Sequence, residues 1–295
     1  MPDPEAHVSP FAEFAAKKAR AAEAADLPPY ETLIDNAPEF AGLIPIGNSW
    51  TERYFGGPLY ESALTDAAVP AFNLVFVRSR DDNTDASDPS GLGGGATDKH
   101  LIYEGLSRAT ADGVLAGSKT IGDGNLIFSV WHPELVRLRE SLGKPRHPIQ
   151  IVATLLGVLP IETGLIFNVP DIPVVILTIA EPARTLVERT RTRPWITVLS
   201  SGEASDLRTH ARHLKESVGI DRVSAVGGRT VASALIDSGL IRDLYLTTGA
   251  IEGGTPGTPF YTGGRELSPE LIVRKRGTRE ESGVIFEHWR IRADS

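Results

Sequence analysis

Two short segments carry the residue types that hold anionic ligands. Gly117-Ser118-Lys119-Thr120 follows the apolar run Gly113–Ala116, and Gly227-Gly228-Arg229-Thr230 follows Val223–Val226. Glycine lets the backbone approach a ligand closely, while hydroxyls and the free N–H groups of a following helix suit a phosphate or an amide. Arg229 adds positive potential at the second turn. Neither turn has the G-x-x-x-x-G-K-[ST] spacing of a Walker A loop, and strand-to-helix turns also use glycine for steric reasons alone. Two such turns in one alternating pattern point to a nucleotide more strongly than either does separately. Gly91-Leu92-Gly93-Gly94-Gly95-Ala96 matches G-x-G-x-x-A by letter but follows no strand directly, so it reads as a flap beside the site or as a solvated loop.

The titratable residues are less pointed. Asp81, Asp82 and Asp123 follow strands or site loops and are the carboxylates best placed for acid–base work, although loop aspartates mostly build turns. His100 and His132 flank the same loops and are candidate proton donors. His210 and His213 stand three apart on an expected helix with no third ligand at matching spacing, so they read as a solvated face and no metal is expected. No G-x-S-x-G elbow and no Ser-His-Asp order stands out.

Composition narrows the classes. The chain has no cysteine, which removes disulfides, iron–sulfur clusters, thiolate zinc sites and cysteine nucleophiles together. A formal charge of −8 argues against a general nucleic-acid binder while leaving room for a local basic pocket. No apolar run approaches the ~18–20 residues that span a bilayer. Met1–Glu5 is acidic and proline-rich with no apolar stretch behind it, so it does not read as a signal peptide, and the expected location is the cytoplasm. At 295 residues and 41% hydrophobic content, one large domain or a domain with an ordered extension is expected.

Those residues must be positioned by regular elements. Pro10–Ala25 reads as an alanine-rich helix stopped by Pro28-Pro29. Leu33–Ala68, with Gly42, Gly47, Gly56, Gly57 and Pro58 among Trp50, Tyr54, Phe55 and Tyr60, reads as an irregular arm packed on the main body or on a partner subunit. From Ala71 onward, apolar runs expected as strands (72–77, 113–116, 149–154, 174–178, 196–199, 223–226, 244–247) alternate with expected helices (98–109, 133–142, 182–191, 205–217, 230–237). Asp81–Thr97 reads as a polar loop between the first two of these strands. Segments 271–274 and 284–292 read as an antiparallel pair. The alternation predicts an α/β fold with a mixed, mostly parallel sheet flanked by helices and antiparallel C-terminal strands. The expected division is 1–70 as helix plus wrapping arm and 71–295 as the main domain.

Four segments in order resemble one known family. They are Asn73-Leu-Val-Phe-Val-Arg-Ser79-Arg-Asp81, Ala111-Asp112-Gly-Val-Leu-Ala-Gly117-Ser-Lys-Thr120, Val226-Gly227-Gly228 with Leu235 to Leu240, and the glycine-rich Gly253–Phe260. Over about Ala71–Arg292 the chain resembles the pyrimidine reductase domain of riboflavin biosynthesis, of the dihydrofolate reductase-like superfamily. The resemblance implies an NADPH-dependent reductase, usually a homodimer, that acts on a ribosylaminopyrimidine phosphate and has a small heterocyclic substrate as its partner. Carried over position by position, it implies that Gly117, Thr120, Gly227 and Gly228 hold the cofactor with Arg229 and Thr230 as neighbours. Asn73, Ser79 and Asp123 would line the substrate side, and Asp81 would donate the proton. No basic residue can be assigned to the ribose 2′-phosphate, though Thr154 ends a strand where such contacts occur.

Three positions depart from the family pattern. Val226 stands where a glutamate often precedes Gly-Gly, Asp82 replaces the glycine after the turn aspartate, and only Arg137 or Arg139 is at hand for a substrate phosphate. Two other readings therefore stay open: a related NADPH reductase of a pterin, folate or other carbonyl or imine, and a non-catalytic nucleotide-binding protein.

Overall fold

Period-two alternation decides how the central strands are used, because successive side chains of a strand point to opposite faces of its sheet. Within Val174–Thr178, Val175 and Leu177 enter one core while Val174 and Ile176 enter the other. The same split divides Leu115 from Val114 and Ala116, and Ile151 from Val152. Strands apolar on both sides must be covered on both sides, which is the pattern of a parallel sheet between two helical layers.

The computed structural model describes residues 9–86, 89–279 and 283–292. The expectation for Met1–Glu5 and residues 87 and 88 of the expected polar loop lie outside these. Helix α1 (Pro10–Glu23) leads to β1 (Tyr30–Asp35), β2 (Leu43–Ile46), α2 (Ser49–Phe55) and β3 (Leu59–Ser62). Strand β4 (Ala71–Arg78) is followed by α3 (Gly95–Thr97), a π-helical stretch Asp98–Leu106 and α4 (Ser107–Ala109). Then come β5 (Gly113–Gly117), α5 (Ser118–Ile121), α6 (Pro133–Ser141), β6 (Ile149–Ala153) and β7 (Val174–Thr178). The remainder runs α7 (Ala180–Thr190), β8 (Ile196–Ser200), α8 (Leu207–His213), β9 (Arg222–Val226), α9 (Arg229–Asp237), β10 (Ile241–Thr248), β11 (Pro269–Gly277) and β12 (Ile285–Ile291).

Ten strands form one sheet in the order β1-β11-β12-β10-β4-β9-β5-β6-β7-β8. From β10 to β8 every neighbour is parallel, while β12, β11 and β1 add antiparallel pairings at one side. This is the mixed, mostly parallel architecture expected. Helices α8 and α9 cover one face through Ala211, Ala232 and Leu235. On the other face lie α1, through Ala22 and Phe14, and α6, through Leu135 and Leu138.

Two segments differ from the sequence expectation. The arm read as irregular contains the β2–β3 pair and a well-capped α2, where Asn48 accepts from Trp50 and Thr51 while Thr51 Oγ1 accepts from Asn48 N–H. Its aromatics pack inward: Phe55 lies edge-on to Tyr30 and Phe286 at 5.9 and 5.0 Å, and Trp50 stacks on His132 at 4.1 Å. The expected regular helix over 98–109 is instead widened into a π-helix and breaks at Gly105. A Cβ there would lie 2.6 Å from Leu135 of α6 and 2.8 Å from the His100 carbonyl, so close packing of α6 demands glycine.

The arm is clasped by buried charges. Glu61 of β3 lies 3.2 Å from Arg222 of β9 and accepts from Thr110 Oγ1 at 2.9 Å. Next to it, Ser62 donates its N–H and hydroxyl to Asp243 of β10, whose carboxylate is 2.8 Å from His288 Nε2. Burial raises the Glu61 carboxyl to about 7, despite the opposing pull of Arg222 and the Thr110 hydrogen bond. Unfolded, the group ionises near its ordinary 4.5, so between 4.5 and 7 the native state holds a proton that the unfolded state has lost. Its contribution to stability is therefore full below 4.5 and declines as pH rises through 7. Glu61→Gln should remove from the unfolding free energy a downward slope of at most about 1.4 kcal/mol per pH unit across that window. Urea titrations of both proteins from pH 4 to 8 check this, and superimposable pH profiles would show that Glu61 ionises as it does in water.

Candidate functional site

Strands β5 and β9 are hydrogen-bonded neighbours, with Gly113 opposite Val223 and Leu115 opposite Ala225. Parallel pairing brings the turns that follow them side by side at the carboxyl edge of the sheet, where open α/β sheets bind ligands. Gly227 and Gly228 have φ of 65° and 77°, a region that side-chain-bearing residues seldom occupy. A Cβ on Gly228 would lie 3.0 Å from Thr120 Oγ1, and one on Gly227 would lie 3.3 Å from Thr120 Cγ2. Gly117 faces Val231 equally tightly. The two glycine turns are thus packed into one another. Helix α9 starts there with Gly228 as its N-cap and no side chain closing its first N–H groups, which leaves donors and the positive end of a nine-residue helix at the turn.

Both turns line one cavity of about 1380 Å³ that crosses the carboxyl edge from one sheet face to the other. On the β4 side its wall is the helical stretch 98–109 together with α1. Glu104 is salt-bridged to Lys18 of α1 at 2.7 Å, and His100 Nδ1 stands 3.3 Å away. Burial favours the neutral acid, but His100, Lys18 and Arg108 together outweigh it and hold the carboxyl at about 2, so Glu104 is ionised. Arg108 is 1% exposed, sits over the Tyr103 ring at 4.4 Å and donates Nη1 to the Ser129 carbonyl at 3.0 Å. Its Nε and Nη2 have no hydrogen-bond partner among the described residues. Unsatisfied donors on a buried guanidinium in a cavity wall are the groups that an anionic ligand would satisfy. On the β6 and β7 side the wall is neutral: Thr154, Thr178, Ser205 and His210, with Leu155 and Leu156 at the rim.

Of the residues expected from the sequence, Gly117, Thr120, Thr154, Gly227, Gly228, Arg229 and Thr230 all line this cavity. Asn73, Ser79, Asp81 and Asp123 are not among its lining residues. Asp81 accepts from Ser79 Oγ at 2.6 Å, Asn83 Nδ2 at 2.8 Å and the Gly253 N–H at 3.1 Å. The Ser79 hydrogen bond, followed by that from Gly253, holds its carboxyl below the usual range. Asp123 closes its own turn by accepting from Asn125, and Asn73 donates to the Ser107 carbonyl, tying β4 to α4. Asp82 has φ of 69°, so the position where the family carries glycine keeps a glycine-like backbone with an aspartate in it.

Three expectations need correction. Arg137 is exposed and paired with Glu134, and Arg139 donates to the carbonyls of Arg108, Ala111 and Pro145, so neither faces the cavity. The arginine that does is Arg108, missed because nothing in its sequence neighbourhood marks burial. His132 caps α6 by accepting from the Glu134 N–H, which leaves it a structural role. His210, read as part of a solvated face, is 3% exposed and lines the cavity. The glycine-rich run, read as a flap beside the site or a solvated loop, does lie beside the site and supplies Leu92, Gly94 and Gly95 to the cavity wall.

Comparison with known proteins agrees with this geometry. The family model described as RibD C-terminal domain matches residues 83–281, well over half of the chain. No curated protein matches the sequence. Among solved structures, a pyrimidine reductase-like protein from Corynebacterium diphtheriae is similar at 18% identity and a TM-score of 0.63, with 76% of this chain and 93% of that one covered. Acinetobacter baumannii RibD is similar at 18% identity and a TM-score of 0.58, over 76% of this chain but only 58% of its own. The riboflavin biosynthesis reductase of Saccharomyces cerevisiae gives 16% identity and a TM-score of 0.55, over 77% and 92%. At such identities these likenesses establish the fold.

The packing of the turns makes Gly228 the most sensitive position of the site. Gly228→Ala should cost about 1–2 kcal/mol from the positive φ alone, plus the displacement of Thr120. Chemical denaturation measures it, and a neutral substitution would mean that the turn relaxes without cost.

Proposed function

We propose, from a chain that belongs to the RibD C-terminal domain family, that this protein is a reductase transferring hydride from a reduced pyridine nucleotide to a small heterocycle. The observation that carries this reading is the packed pair of glycine turns at the start of α9, in a cavity whose other end holds the unsatisfied Arg108. The residues fit a dinucleotide. The cradle at Gly227 and Gly228 is one that a Cβ would fill, and the open N–H groups of α9 suit a pyrophosphate. Gly117, Thr120, Gly227 and Gly228 would hold it, with Arg229 and Thr230 beside them. NADPH, expected from the resemblance, and NADH make the same demands on these groups. When bound, the nucleotide supplies the hydride; the protein supplies alignment, charge and a proton.

In this reading the substrate is of the ribosylaminopyrimidine phosphate type. Arg108, lying in the cavity wall between Tyr103 and the Ser129 carbonyl, would give its unpaired Nε and Nη2 to its phosphate. Lys18, fixed by Glu104, brings its amino group to the same wall. Asp81 shapes the loop that frames the site, through Ser79, Asn83 and Gly253. A homodimer and a cytoplasmic location belong to the same reading.

One observation favours a related reductase of a pterin or another imine as the second reading. Val226, where the family often has a glutamate, is fully buried in apolar surroundings and offers the substrate nothing.

The test is nucleotide oxidation followed by absorbance over a panel of phosphorylated aminopyrimidines, pterins and folates. Turnover of the phosphorylated pyrimidine is expected, and Arg108→Met should raise its KM roughly 10- to 100-fold while leaving an unphosphorylated analogue little affected. Equal effects on both would remove Arg108 from phosphate recognition. Turnover of none of the panel would leave a protein that binds nucleotide without reducing anything.

A further inference from the structure

We infer that the neutral lobe of the cavity, at the ends of β6 and β7, takes a nucleoside whose ribose carries free hydroxyls, so that the protein binds NADH in preference to NADPH. The inference rests on the dinucleotide reading above and concerns the half of the ligand farthest from Arg108. Strands β9, β5 and β6 separate β4 from β7. Four strand spacings of about 4.8 Å place the two ends of the cavity on the order of 19 Å apart. With the pyrophosphate at the β5 and β9 turns and the charged wall on the β4 side, the remaining nucleoside falls between Thr154, Thr178 and His210.

The chemistry of that lobe is specific. Thr178 and His210 are 1% and 3% exposed, both line the cavity, and Thr178 Oγ1 and His210 Nδ1 lack a hydrogen-bond partner among the described residues. A hydroxyl and an imidazole nitrogen, unpaired and buried just behind the wall, would pair with ribose hydroxyls, which both donate and accept. Thr154 Oγ1 accepts from the Gly157 N–H at 3.0 Å and so sets the conformation of the loop behind it. That loop holds Leu155, Leu156 and Val158 at the cavity mouth, 55%, 82% and 77% exposed. Three exposed aliphatic side chains beside two open polar groups suit a planar base stacked next to a sugar.

Among the described residues of the lining, a 2′-phosphate finds no cationic counterpart there. It brings about two negative charges and needs arginine or lysine to compensate its desolvation. The cations of the lining are Lys18, Lys99, Arg108, Lys119 and Arg229, which stand on α1, the helical stretch 98–109, α5 and α9. Of the arginines near this lobe in sequence, Arg189 pairs with Glu162, Arg193 with Asn168 and Arg212 with Thr209, Arg208 lies against Gly239, and Arg184 of α7 is exposed and outside the cavity lining. Burial, reinforced by His213, lowers His210 to about 4, so its ring is uncharged at neutral pH and cannot take that role.

Fluorescence titration of the purified protein with NADH and with NADPH, in parallel, decides the matter without any turnover. NADH is expected to bind roughly tenfold tighter or more. Leu156→Arg, at a position too exposed to disturb folding, should tighten NADPH by about the same factor. Equal affinities, or tighter NADPH binding by the unaltered protein, would overturn the preference and leave the dinucleotide reading in place. Binding of neither nucleotide would remove the dinucleotide reading itself, and the preference with it.

Discussion

The lateral pairing of β5 with β9 is the constraint from which the site follows. Those strands are far apart in sequence, and each ends in a turn with glycine where the chain leaves the sheet. Because they run parallel and in contact, the turns must share one small volume, and Thr120 occupies the space that side chains at 227 and 228 would need. Removing those side chains exposes backbone donors at the start of α9. A ligand-accepting edge is thus a by-product of fitting two turns together, and the positive φ values of Gly227 and Gly228 are the conformational cost of that fit.

Around this edge the structure sorts charge by side. The helical stretch 98–109 and α1 bring Lys18, Glu104 and Arg108 to the β4 side, while β6, β7 and α8 bring hydroxyls, an uncharged imidazole and leucines. The sorting reflects what each layer packs against. Arg108 is tolerated in the interior because the Tyr103 and Phe128 rings lie against it and a carbonyl takes one of its donors. Glu104 is tolerated because a lysine and a histidine flank it.

Much of the frame was legible in the sequence. Strands buried on both faces announce themselves as short apolar runs, and helix ends such as Pro133 and the glycines after β9 mark where the chain turns. Both glycine turns were legible as carboxyl-edge turns from the alternation alone, while their packing against each other comes from the pairing of β5 with β9. What stayed hidden depends on partners distant in sequence. Arg108 sits in a stretch whose letters read as an ordinary helix, and only the carbonyl of Ser129 and two aromatic rings show that it is buried. Asp81 and Asp123 looked chemical because they follow strands, yet their hydrogen bonds are spent on Ser79, Asn83, Gly253 and Asn125. The arm looked irregular because β2 and β3, which pair with each other, have only 4 residues each, and the partner of β1 is β11, far along the chain.

The clasp between that arm and the body carries a consequence for how the chain acquires its fold. Strand β1 pairs with β11, Tyr30 lying opposite Gly277, and Glu61 meets Arg222. During synthesis the arm therefore emerges well before β9 and β11 and waits for them before it finds its neighbours, and loop closure over such separations is slow. The nascent arm, with Leu33 and Ile34 exposed even in the finished molecule, spends that interval as an unpaired edge. It is the last piece to lock and the segment most open to chaperones or to aggregation while the ribosome is still at work.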